Sequence, residues 1–96
     1  ETMLPLSLAL YHQGIMKLRD VLAAMTYKPA DIIHVPAGRL KKGARADLTL
    51  IDLDHAWTLD PKQFASKSLN SPFEDMKVKG GAIRTVVGGD TVYRLE

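Results

Sequence analysis

The chain has 96 residues, of which 46% are hydrophobic and 25% charged; this is ordinary globular composition for one small domain and excludes a disordered chain. Thirteen basic residues against 11 acidic ones leave a net charge of +2, too even to indicate nucleic acid or a membrane surface as partner. There is no cysteine, which excludes disulfides and thiolate metal sites and fits a cytoplasmic location. No apolar run approaches the ~18 residues of a membrane span, and no basic segment followed by an apolar stretch marks a signal peptide.

The first third reads as helical. Thr2 can cap a helix starting near Met3, Pro5 is tolerated in its first turn, and Gly14 ends it. The segment from Met3 to Tyr11 is apolar almost all round, whereas a surface helix carries an apolar stripe and a polar face. Leu4, Leu8 and Leu10 are therefore expected to need cover from another chain or from a larger protein of which this is a truncated part. A free-standing small module would instead show a polar face here. Met16 to about Thr26 forms a second helix, with Leu18, Val21, Leu22 and Met25 on one face. Pro29 suits the first turn of a short third helix over Ala30 to His34, closed by Pro36 and Gly38.

Beyond Gly38 the hydrophobic period changes. Ala46 to Leu53 alternates as a strand does, and Trp57 to Leu59 can extend it or pair with it. Asp60, Pro61 and Gln63 are cap, first position and third position of a short helix over Pro61 to Ala65. Ser66 to Met76 reads as loop. Lys77 to Lys79 and Ala82 to Val87 read as two strands separated by Gly80-Gly81, and Gly88-Gly89-Asp90 as a hairpin turn before a strand over Thr91 to Leu95.

The chain offers little to build chemistry from. His12, His34 and His55 are its only histidines, and no two have the spacing that aims a pair of imidazoles at one ion. Asp47, Asp52, Asp54 and Asp60 fall at strand and turn positions, where solvated or capping roles outweigh paired acid–base work. Ser66 and Ser68 lack a nucleophile-elbow context, and the Gly-Gly pairs match no phosphate-binding loop. Lys41, Lys42 and Arg45 form a basic cluster without interleaved aromatics, as on a solvated loop. The expectation is that the chain has no catalytic, cofactor-binding or metal-binding residue.

Two motifs carry more. The run Gly38-Arg39-Leu40-Lys41-Lys42-Gly43-Ala44-Arg45-Ala46-Asp47-Leu48-Thr49-Leu50-Ile51-Asp52 resembles the stretch where amidohydrolases leave their barrel and form half of a small β-sandwich. Its glycines permit turns, and Asp47 can hold the start of the strand through backbone hydrogen bonds. Ser66 to Phe73, then Val78-Lys79-Gly80 and Arg84 to Tyr93, resemble the tail of bacterial dihydroorotases. Glu1 to Leu6 and Lys28-Pro29-Ala30 are similar to further segments of that family, so the likeness runs nearly end to end. Two positions depart from it: Asp75 stands where glycine is usual, and Gly81 where a basic residue is common.

The resemblance implies an α+β piece in which residues 1–36 are the last helices of a (β/α)8 barrel and residues 37–96 are part of an antiparallel β-sandwich. The remaining sandwich strands would come from a missing N-terminal part. It further implies a parent enzyme interconverting N-carbamoyl-L-aspartate and L-dihydroorotate in pyrimidine synthesis. Zinc would activate water at the C-terminal ends of the barrel strands, with every ligand upstream of this chain. A homo-oligomer is expected. The resemblance leaves open a non-catalytic dihydroorotase-like subunit that scaffolds aspartate transcarbamoylase, or an allantoinase or hydantoinase relative.

Overall fold

The computed structural model describes residues 2–65 and 71–95. Its first half holds three helices, α1 (Met3–His12), α2 (Leu18–Met25) and α3 (Tyr27–Ile32). Thr2 begins α1 through its carbonyl, which accepts from the Leu6 amide at 3.2 Å; its side chain makes no cap bond. Gly14, at φ +73, ends the helix as expected. There the Ile15 amide reaches the Leu10 carbonyl at 2.9 Å and the Gly14 amide reaches that of Tyr11 at 3.0 Å, satisfying two otherwise orphaned acceptors.

In α2, Val21 is buried and Leu18, Leu22 and Met25 are half-buried, so the face read from the periodicity is the packed one. The third helix differs from expectation. It starts at Tyr27, before Pro29, and stops at Ile32 rather than His34. Pro29 still lies in the first turn, where its missing N–H costs nothing.

The second half is a three-stranded antiparallel sheet in the order β1 (Leu48–Thr58), β2 (Lys77–Val87), β3 (Asp90–Arg94). Val87 pairs with Asp90 around Gly88 (φ +57) and Gly89 (φ +88). Positive φ at both central residues is what a tight hairpin turn with the sheet's own twist requires. Between β1 and β2 lies a single 3₁₀ turn (Pro61–Gln63), shorter than the expected helix; the Asp60 side chain caps it by accepting from the Lys62 amide at 3.0 Å.

Gly80-Gly81 does not divide two strands, contrary to the sequence reading; β2 runs through both. The pair instead accommodates an irregularity. Asp52 faces Gly81 and Ala56 faces Lys79, so four steps on β1 span two on β2. The surplus loops out as a bulge. The Asp52 carboxylate closes it by accepting from the Asp54 amide at 3.0 Å, and Lys79 Nζ approaches Asp54 at 3.5 Å. Gly80, opposite the bulge, adopts φ +99. Its carbonyl accepts from the Trp57 indole N–H at 3.0 Å.

This glycine is where helix and sheet meet. A Cβ at Gly80 would lie 2.7 Å from Cδ1 of Leu8 and 3.3 Å from the Leu53 carbonyl oxygen. Leu8 is fully buried there, so the cover expected from another chain comes for this residue from β2 of the same chain. Leu4 is half-buried, whereas Leu10 and Met3 remain exposed at 37% and 67%. Leu59, also fully buried, anchors the far end of β1, and its amide and carbonyl bond to Met76 and Asp75. Each such burial is worth about 1.5–3 kcal/mol.

Replacing Leu8 by alanine should destabilise the chain by about 2–5 kcal/mol. Gly80→Ala should cost about 2–4 kcal/mol from left-handed strain and overpacking together. The double variant should lose less than the sum, because the truncated Leu8 makes room for the new methyl. Denaturant unfolding of the four proteins measures this, and strict additivity would break the proposed contact.

Candidate functional site

A concavity lies between the start of α1 and the sheet. It is a cleft of about 430 Å³ whose walls include Leu4, Pro5, His55, Trp57, Phe64 and Tyr93. The His55 and Trp57 rings lie nearly parallel, 20° apart, with centroids at 6.3 Å. They share a face because both fall on the half-buried alternation of β1. A Cβ at Gly81 would stand 3.2 Å from the indole nitrogen and 3.6 Å from the His55 ring. The residue that departs from the dihydroorotase pattern thus leaves room for these two rings. Asp60 also borders the cleft, with one carboxylate oxygen already accepting from the Lys62 amide. These walls suit packing of apolar and aromatic groups. No hydrogen bond or ion pair joins His55 to Asp60 among the described residues.

The histidines are scattered. His12 is exposed in the last turn of α1, beside the Tyr11 ring at 5.2 Å. His34 terminates α3 at φ +59. The Val35 amide reaches the Ala30 carbonyl at 3.0 Å and the His34 amide reaches that of Asp31 at 3.3 Å, the arrangement in which glycine ends α1. His55 is in the cleft. Among the described residues no three His, Cys, Asp or Glu side chains come together to hold a metal.

The aspartates have structural partners. Asp47 accepts from the Gly88 amide at 2.8 Å and pairs with Arg45 at 3.1 Å. Its bond therefore holds the β2–β3 turn, 41 residues away, as well as the start of β1. Asp52, Asp54 and Asp60 serve the bulge and the 3₁₀ turn. Asp75 sits at φ +62 in the turn before β2, so the position where the family has glycine is indeed a left-handed one. Lys41, Lys42 and Arg45 are exposed on the loop before β1. Ser66 to Asn70, which include both candidate serines, lie outside the described residues.

That loop is tied down at its start. A Cβ on Gly38 (φ +76) would fall 2.5 Å from the Thr26 carbonyl carbon, so only glycine lets the loop cross the α2–α3 junction. Next to it, Arg39 bonds Asp31 at 2.6 Å and lies over the Tyr27 ring at 5.3 Å from its centroid. The hydrogen bond from Arg39 holds the Asp31 carboxyl below its ordinary value; slight desolvation opposes this and the guanidinium charge adds to it.

The fold and its motifs define a class. Residues 2–92 match the sequence profile of the Amidohydrolase family, and the chain belongs to that family. More particularly, it is 62% identical over 96 residues to a protein named dihydroorotase from Ehrlichia chaffeensis, covering 100% of this chain and 22% of the relative. A protein named dihydroorotase from Wolbachia sp. subsp. Drosophila simulans is 63% identical over 93 residues, covering 97% of this chain and 21% of the relative. Among solved structures, the L-hydantoinase (dihydropyrimidinase) from Arthrobacter aurescens superposes with a TM-score of 0.86 at 35% identity, over 95% of this chain and 21% of that one. The dihydropyrimidinase from Brevibacillus agri shares the fold, with a TM-score of 0.84 at 24% identity over 90% of this chain and 19% of that one. The chain thus spans about a fifth of the length of these relatives.

Two predictions follow from the roles assigned above. His34→Gly should stabilise the chain by about 0.5–1 kcal/mol, since relief of the left-handed strain exceeds the added chain entropy of glycine. A thermal melt reads the effect, and a loss of stability would point to another role for the imidazole. Asp31 has a depressed folded pKa, so its contribution is fully present above the ordinary aspartate value of about 3.9 and is lost as pH falls through the lower folded value. Carboxyl NMR titration should show Asp31 titrating below the ordinary aspartate value, and returning to it in Arg39→Gln.

Proposed function

We propose that this chain is the C-terminal part of a dihydroorotase, the hydrolase that interconverts N-carbamoyl-L-aspartate and L-dihydroorotate. The observation that carries the reading is the 62% identity to a dihydroorotase along the whole of this chain. On this reading residues 1–36 are the last helices of the barrel and residues 37–96 part of the β-sandwich. The parent protein would be a cytoplasmic homo-oligomer working in pyrimidine synthesis. No helix among the described residues is long and apolar enough to cross a membrane, which accords with that location.

Zinc, which the family implies, does not fit the residues present: no three His, Cys, Asp or Glu side chains come together among the described residues, and Asp47, Asp52 and Asp60 are engaged in turn, bulge and cap bonds. Its ligands would belong to the barrel strands outside this chain, and no step of the hydrolysis runs through the residues described. Their part is architectural. Leu8 against Gly80 fixes the last helices on the sheet, and Asp47 with Gly88 fixes the hairpin. A chemical site needs its groups held to within about 0.5 Å, and such anchoring is what a barrel's own framework requires.

Expression of the whole reading frame that contains this chain tests the proposal. The complete protein should open the ring of dihydroorotate, followed by loss of ultraviolet absorbance. It should lose activity on chelation and regain it with zinc, while the 96-residue chain alone should be inactive. Turnover of hydantoin but not of dihydroorotate would place it with the hydantoinases. A zinc-free, inactive protein that co-purifies with aspartate transcarbamoylase would make it a scaffold.

A further inference from the structure

We draw no further inference here: the strongest candidate, the aromatic cleft between the start of α1 and the sheet walled by His55, Trp57 and Tyr93, lies in a chain that spans about a fifth of its relatives' length, and nothing in the structure shows what covers it.

Discussion

The absence of a side chain at Gly80 is the constraint on which the arrangement of helix and sheet depends. Leu8 enters the space a Cβ would fill, and the closest approach to such an atom would be 2.7 Å. The glycine can stand there because β1 bulges opposite it, which frees its backbone from regular pairing and gives it φ +99. The Trp57 indole then supplies the hydrogen bond that its carbonyl would otherwise take from the ladder. Bulge, glycine, tryptophan and leucine thus form one unit, and a methyl group at its centre disturbs all four.

Around that unit the backbone is closed off by short-range devices. Two helices end in the same hydrogen-bond pattern, one through Gly14 and one through His34. Glycine is the cheaper solution and histidine the tolerated one, which explains an imidazole that has no chemical partner. Gly38 permits the chain to cross the α2–α3 junction, and the Asp31–Arg39 pair with Tyr27 holds it after the crossing. Asp47 then links the first strand to the last turn, so the amidohydrolase Ala-Asp motif and the Gly-Gly hairpin are two ends of one hydrogen bond.

These features bear on function through framework. The chain belongs to the amidohydrolase family and spans about a fifth of the relatives it matches. Asp47, Asp52 and Asp60 are occupied in a turn, a bulge and a cap, and several large apolar side chains, Met3, Leu40 and Val92 among them, are exposed.

Much of this was legible in the sequence because it depends on neighbours along the chain. The packed face of α2, the Gly14 stop, the Asp60 cap and the Gly88-Gly89 turn are set by local periodicity and by backbone conformations that few residues adopt. The family likeness was legible too, since its motifs are such turns and strand starts. Other features required the tertiary structure. Gly80-Gly81 reads as a break in a strand, but a bulge 23 or more residues earlier in the chain turns it into a docking point inside one. The cover of Leu8 by its own sheet and the reach of Asp47 to Gly88 are likewise decided by groups distant in sequence. Local propensity weighs fractions of a kcal/mol per residue, and a single buried contact of about 1.5–3 kcal/mol overrides it.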